Sequence, residues 1–177
     1  MGKGIVLYQS KYGATKKYAD WLQEETGYDC METKKATVSL VQGYDVIVLG
    51  GGVYASGILG LHFLKKNINL LSDKKIAVFA VGASPYDEKA IMQAREVHFK
   101  DAMERIPLFY CRGAWDEDKM SFTHRTLCRM LQKAVAKQNP EEFEPWQRAL
   151  LGAKGQKCDW TDKRSLEPLL RYLKENE

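Results

Sequence analysis

The chain has 177 residues, enough for one domain with a sizeable core and too few for two. Its hydrophobic content of 45% and charged content of 28% are those of a soluble globular protein. A net charge of +4 does not by itself indicate nucleic-acid binding. The four cysteines and three histidines lack the spacing of metal ligands, so we expect no zinc site and reduced thiols. We also expect no signal peptide and no membrane-spanning segment, because no apolar run approaches ~20 residues.

Short apolar runs rich in valine and isoleucine recur along the chain. Four of them are continuous rather than alternating, which is typical of strands buried on both faces of a parallel sheet. A weaker run at 28–32 is a fifth candidate. The predicted strands cover residues 4–8, 28–32, 44–50, 75–82 and 106–113.

Helical patterns lie between these runs. The first begins at Ala14 and ends at Gly27, and the last begins after Thr161 and Asp162, which can cap it. Three further helices are predicted from Leu59 onward, over 87–103 and over 119–137. This alternation predicts a single α/β domain over residues 1–177, a doubly wound five-stranded parallel sheet with helices on both faces.

One segment, 138–160, fits this pattern poorly. It contains two prolines and two glycines and has no clear period. We expect a long irregular loop, with a short helix near 146–151.

The loop between the first strand and the first helix consists of small and polar residues. Ligands of a parallel sheet bind beyond the carboxyl ends of its strands, where the next helix N-terminus attracts a phosphate. Ser10 and Thr15 add hydroxyl donors, and Gly13 lets the backbone come close. We therefore expect a phosphate cradle, the alternative being an ordinary strand-to-helix turn. The predicted cradle is Ser10, Lys11, Tyr12, Gly13, Ala14 and Thr15.

Two other phosphate motifs match less well. A Walker A loop needs a first glycine and a Lys-Ser/Thr pair, and the cradle has neither. The pattern Gly50-x-Gly52-x-x-Ala55 is similar to a dinucleotide fingerprint, but it follows the third predicted strand. A Rossmann domain carries that fingerprint after the first strand, which disfavours NAD.

The pattern Ser10-x-Tyr12-Gly13-x-Thr15 resembles the FMN phosphate loop of flavodoxins, whose usual form is Thr/Ser-x-Thr-Gly-x-Thr. Tyr12 departs from that form, as in a flavodoxin branch that includes the quinone-linked, oxygen-independent protoporphyrinogen oxidase. Further segments resemble that branch, so that the resemblance covers nearly the whole chain; the sequence leaves the pattern at Trp115 and Asp116. These segments are 46–59, 109–131 and 159–162.

The resemblance implies a flavodoxin-like fold that binds FMN. The loops after the third and fourth strands would hold the flavin ring, with Tyr54 and Tyr86 as candidates for stacking. No catalytic acid or base is predicted, and the histidines have no obvious partner. The implied cofactor-binding residues are Ser10, Lys11, Tyr12, Gly13, Ala14, Thr15, Gly52, Val53, Tyr54, Ala55, Gly82, Ala83, Ser84 and Tyr86.

Three functions remain open. The first is an FMN-binding electron-transfer protein that supplies a partner reductase or acts as an oxidoreductase. The others are a menaquinone-dependent protoporphyrinogen dehydrogenase-type enzyme and a flavin-free regulatory or interaction module. The resemblance implies a redox partner protein, such as a flavin-dependent or tetrapyrrole-handling reductase, or a quinone at a membrane surface, and no nucleic acid. We expect a cytoplasmic location, with the inner face of the membrane as the alternative.

The predicted helix 119–137 carries an apolar stripe and a basic ridge. We expect the stripe to pack on the core, and the ridge either to be solvated or to meet an acidic partner protein in preference to an anionic membrane. The stripe is Met120, Leu127, Met130, Leu131, Ala134 and Val135, and the ridge is Arg125, Arg129, Lys133 and Lys137.

Overall fold

The computed structural model describes residues 2–54 and 57–175. The strands are β1 (Gly4–Gln9), β2 (Asp29–Glu32), β3 (Val46–Tyr54), β4 (Gly57–Ile58), β5 (Lys75–Gly82), β6 (Leu108–Arg112), β7 (Ala114–Asp116) and β8 (Lys157–Asp159). The helices are α1 (Ala14–Thr26), α2 (Val38–Val41), α3 (Leu61–Asn67), α4 (Glu88–His98), α5 (Phe122–Val135), α6 (Pro145–Gly152) and α7 (Glu167–Lys174). Among these helices none is long and apolar enough to cross a bilayer.

The central sheet is parallel in the order β2-β1-β3-β5-β6, with β4 added antiparallel to β3. β2 lies on one side of β1, and β3 lies on the other. The chain therefore adds strands in both directions from β1, which is the doubly wound arrangement. The five predicted parallel strands are therefore confirmed. Their continuous apolar runs reflect burial on both faces, since residues 4–7 of β1 and 76–81 of β5 are buried without a break.

Each face of the sheet has its own core, because alternate strand residues point to opposite sides. On one face α1 and α7 pack over Val6, Val48 and Phe79. On the other face α3 and the turn that follows it pack over Leu7, Ile47 and Val78. Helices thus cover both faces, as predicted.

The third strand is longer than predicted. It was expected to end at Gly50, but it continues to Tyr54 and pairs with β4. The glycines indicate a loop in the sequence, whereas in the fold they make room: a Cβ on Gly50 would lie 2.1 Å from the Phe79 ring, and one on Gly51 would lie 2.2 Å from the Leu59 carbonyl oxygen. Gly50 and Gly52 are strand residues, which removes the dinucleotide-fingerprint interpretation. Ala55 lies outside the described residues.

Residues 113–160 lie between the last parallel strand and the C-terminal helix, and we refer to this connecting segment as the insertion. Within it β7 pairs antiparallel with β8. The expected irregular loop 138–160 contains α6 and β8, so the long-loop interpretation was wrong while the short helix is present. Pro145 stands in the first turn of α6, where proline is tolerated, and Glu144 and Gln147 form a capping box.

Helix α5 is turned away from its expected orientation. Its apolar stripe was predicted to pack on the core, but only Val135 of that stripe is buried. Gln132 is buried instead, donating to the Glu117 carboxylate and to the Leu150 carbonyl. The helix packs on α6 and on this polar network, which explains why the core prediction for Leu127 and its neighbours was wrong.

Candidate functional site

The candidate site lies at the carboxyl ends of β1, β3 and β5. Gln9 at the end of β1 is opposite Gly51 of β3. Further along β3, Gly52 is opposite Val81 of β5. The three predicted cofactor loops, after β1, β3 and β5, therefore lie at the same edge of the sheet on neighbouring strands.

Gly113 lies between the start of α1 and the loop after β5. Its N–H donates to the Gly82 carbonyl at 2.7 Å. A Cβ on Gly113 would lie 3.5 Å from the Cβ of Ala14 and 3.5 Å from the Gly82 oxygen. The start of α1 and the loop after β5 thus meet at a glycine that the sequence did not single out.

The predicted phosphate cradle ends in a helix without a side-chain cap. Gly13 begins α1 with φ 102°, a left-handed backbone that favours glycine, and it leaves the helix N-terminus uncapped. In α4 and α5, by contrast, Asp87 and Ser121 accept hydrogen bonds from the first turn. The free N–H groups of α1 are therefore available to an anion.

Two hydroxyls accompany this helix end. Ser10 Oγ accepts the Gly13 N–H at 3.0 Å, which leaves the hydroxyl proton of Ser10 free to donate. Thr15 is only 3% exposed. A Cβ on Gly52 would lie 2.8 Å from the Tyr54 ring and 3.5 Å from Thr15 Oγ1, so glycine at this position lets the Tyr54 ring lie against β3 beside the cradle.

Tyr12, Tyr54, Lys11 and His124 form one cluster beside the cradle. The rings of Tyr12 and Tyr54 are 6.1 Å apart edge to face, and Lys11 Nζ lies 5.1 Å from the Tyr54 centroid. His124 stacks on Tyr54, its Nδ1 lies 2.7 Å from the Tyr12 hydroxyl, and Lys11 Nζ hydrogen-bonds to its ring. The expectation that His124 has no partner was wrong, because α5 carries it into the site.

Tyr54 has a perturbed hydroxyl. Burial, together with the neighbouring Tyr12 and Cys128, raises the pKa of Tyr54 to about 12. Its phenol therefore stays neutral at physiological pH and keeps a proton to donate.

The loop after β5 is fixed by β6. Arg112 Nε donates to the Ala83 carbonyl at 3.1 Å, and the Tyr110 hydroxyl donates to the Ser84 carbonyl at 2.6 Å. Burial raises the pKa of Tyr110, so this donor stays protonated. Sequence reasoning missed Tyr110 and Arg112, although their spacing of two on a predicted strand places them on one face.

The other predicted ring-stacking residue, Tyr86, stands at the rim. It is 66% exposed, and its ring contact is with Tyr110 at 6.3 Å. Val53 is 37% exposed. The structure therefore brings the cradle together with Gly52 and Tyr54, and leaves Tyr86 exposed beside Tyr110.

No group of three metal-ligating side chains converges anywhere in residues 2–54 and 57–175. The polar groups gathered at the strand ends are hydroxyls, backbone N–H groups, an imidazole and an ammonium. Such a donor set is suited to an anion and a planar aromatic ligand.

The comparison that decides the family is the match of residues 5–142 to the flavodoxin domain model. The chain belongs to the flavodoxin domain family. The matched residues run from β1 through α5, and thus include the cradle, Tyr54, the loop after β5 and His124.

Solved structures resemble this flavodoxin domain at low sequence identity. The Trp repressor binding protein from Bacillus subtilis is 14% identical with a TM-score of 0.49, covering 63% of this chain and 85% of its own. The Megasphaera elsdenii flavodoxin is 19% identical, TM-score 0.47, with coverages of 60% and 84%. A flavodoxin, WrbA-like protein from Agrobacterium tumefaciens is 16% identical, TM-score 0.43, with coverages of 89% and 100%. No curated protein matches the sequence.

Proposed function

We propose that the protein binds FMN and transfers electrons, as a carrier for a partner reductase or as an oxidoreductase. The observation that carries this proposal is the uncapped N-terminus of α1 with the hydroxyls of Ser10 and Thr15 beside it, in a member of the flavodoxin domain family. A phosphate would satisfy the free N–H groups and add a favourable interaction with the helix dipole.

The residues of the cradle fit a phosphate monoester. Ser10 can donate its hydroxyl proton, since its oxygen already accepts from Gly13. Lys11 places a positive charge beside the same loop, where its Nζ lies near His124. Hydrogen bonds between such donors and an anion are stronger than neutral ones.

The residues around Tyr54 fit a flat conjugated ring. Tyr54, whose ring is stacked by His124, offers a neutral phenol at this edge, and the loop 82–86 is held in place through three of its carbonyl groups. When bound, FMN supplies reversible electron transfer, while the protein binds it, orients it and excludes water. We therefore assign the ring to the space between these two loops.

The proposed partner is a redox protein, such as a flavin-dependent or tetrapyrrole-handling reductase, or a quinone at a membrane surface; we propose no role for nucleic acid. All four cysteines are free thiols, which supports a cytoplasmic location.

The test is an absorbance spectrum of the purified protein followed by titration of the apoprotein with FMN, FAD and riboflavin. We expect a bound flavin, identified as FMN, with FMN binding more tightly than riboflavin. Absence of flavin binding would instead support the flavin-free module. Oxidation of a protoporphyrinogen with a menaquinone analogue as acceptor would make the protein an enzyme rather than a carrier.

A further inference from the structure

The outward face of α5 is apolar, although a helix face exposed to water is usually polar. The helix turns polar residues inward: Gln132 is 2% exposed, and His124 contacts the site. Its apolar residues face outward, with exposures of 57% for Leu127, 62% for Met130 and 45% for Leu131. Exposed contiguous apolar surface of this kind marks an interaction site.

These residues form one continuous band. Leu127, Met130 and Leu131 are spaced by three and four, so they adjoin one another on the helix surface. Phe122 in the first turn is 86% exposed; it lies five positions before Leu127 and is a separate apolar side chain toward the helix N-terminus. The band is convex, because it belongs to a single helix.

Every charged side chain on α5 itself is positive. Residues 119–140 contain no aspartate or glutamate. The expected basic ridge divides into two parts: Arg125 binds backbone carbonyls and Arg129 pairs with Glu117, so both are engaged within the insertion. Lys133 and Lys137 are exposed and form no ion pair with any described residue.

We infer that α5 is a membrane-docking helix, which lies along an anionic lipid bilayer with the band of Leu127, Met130 and Leu131, and with Phe122 nearer the helix N-terminus, inserted at the headgroup boundary. A bilayer accepts a convex apolar helix face without a shaped groove, and its anionic headgroups attract lysines that flank that face. The nearest acidic residues in the sequence, Asp118 and Glu141, lie outside this stretch, so α5 itself carries no charge that an anionic surface would repel. This inference does not depend on FMN binding.

Docking through α5 would place the candidate site next to the lipid surface. The same helix carries His124, which contacts Tyr12 and Tyr54. A bilayer-bound redox partner would then meet the protein beside its cofactor loops rather than at a random surface.

Sedimentation with vesicles tests the inference. The parent protein is expected to sediment with vesicles of equal parts phosphatidylglycerol and phosphatidylcholine, less at high salt, and not with phosphatidylcholine alone. Leu127→Ser with Met130→Ser should lower the partition coefficient at least about tenfold, because two apolar side chains no longer leave water. Lys133→Gln with Lys137→Gln should lower it at least about fivefold on the anionic vesicles.

The matched control removes similar side chains from another exposed helix. Met92 and Val97 of α4 are 56% and 62% exposed, so Met92→Ser with Val97→Ser deletes comparable apolar surface. This variant should partition like the parent. Phe122→Trp provides a second readout through the fluorescence of the added tryptophan. On anionic vesicles only, this emission should shift to the blue and be quenched by brominated acyl chains.

A parent protein that stays in solution with anionic vesicles would overturn the inference, as would equal losses in the α4 and α5 serine variants. Capture of an acidic protein through Leu127 and Met130 without vesicle binding would assign the band to a protein partner instead. Unchanged thermal unfolding of each variant shows that the fold is intact, as expected for exposed positions.

Discussion

The His124 imidazole lies on the ring of Tyr54, with centroids 5.4 Å apart and planes inclined by 23°. Its Nδ1 is also 2.7 Å from the Tyr12 hydroxyl. One side chain of α5 therefore contacts both the predicted phosphate cradle and the end of β3. The insertion is thus part of the candidate site rather than an appendage to the sheet.

The first prediction follows from these contacts. His124→Ala removes the stack on Tyr54 and the hydrogen bond to Tyr12 that hold these two side chains in place. Losing about 1 kcal/mol of this preorganisation should weaken FMN binding about fivefold. His124→Gln, which retains a hydrogen-bonding group, should lose less. Fluorescence titration of the apoprotein measures both, with His62→Ala on the exposed side of α3 as the control. Equal FMN affinity in the parent and His124→Ala would show that His124 is outside the cofactor site.

The second prediction concerns the two hydroxyls of the cradle. Ser10→Ala with Thr15→Val removes hydrogen bonds to a phosphate, each worth ~1.5–3 kcal/mol. Valine retains the volume of the buried Thr15 side chain. The dissociation constant of FMN should rise at least tenfold, roughly the loss of one such bond, while that of riboflavin barely changes. An equal loss of affinity for FMN and for riboflavin would mean that the loop has only a structural role.

The third prediction uses two glycines with left-handed backbones. Gly13 has φ 102° and Gly27 has φ 70°, and a Cβ on either would have no neighbour within 4 Å. Gly13→Ala and Gly27→Ala should therefore each cost about 1–2 kcal/mol of folding free energy through backbone strain alone. Only Gly13→Ala should also weaken FMN binding, because it displaces the N–H groups of the cradle. Calorimetry and flavin titration separate the two effects, and an equal change of FMN affinity in both variants would refute the assignment.

The fourth prediction concerns Glu117, which holds the insertion together. Burial raises the pKa of its carboxyl, but hydrogen bonds from the Gly155 N–H and Gln132 and the ion pair with Arg129 outweigh burial, and the net pKa is lowered. Glu117→Gln should lower the free energy of unfolding by about 1–2 kcal/mol at neutral pH, a few degrees in Tm.

The pH dependence of this effect has a definite sign. A carboxyl whose folded pKa is depressed stabilises the protein above its unfolded pKa, near 4.5, and loses that contribution as the pH falls through the folded value. The difference between the parent and Glu117→Gln should therefore shrink below about pH 4.5. The exposed Glu142 supplies the control, since Glu142→Gln should leave Tm unchanged. If the stability difference between the parent and Glu117→Gln did not change with pH, the Glu117 carboxylate would not stabilise the fold through its charge.

The sheet could be predicted from the sequence because its signal is local. Continuous apolar runs such as 4–8 and 75–82 indicate buried parallel strands, and the Ser10–Thr15 loop necessarily follows the first of them. The length of β3 could not be predicted, because Gly50 and Gly51 are explained by contacts with Phe79 and Leu59 elsewhere in the chain.

The role of His124 could not be predicted for a related reason. Its partner Tyr12 lies 112 positions away, and no spacing within α5 distinguishes it from a surface histidine. The orientation of α5 was equally hidden, because the periodicity of Leu127, Met130 and Leu131 shows which residues share a face but not what covers that face. The prolines at 140 and 145 indicated a loop, yet both stand in the first turns of helical segments.

The most direct test of the central claim is the stoichiometry and identity of the flavin bound by the protein. Apoprotein titrated with FMN, and followed by quenching of flavin fluorescence, should reach an end point at one FMN per chain. Flavin released from the purified protein should carry a single phosphate and no adenine. An end point at one FAD per chain, or no saturable binding of FMN, would contradict the account.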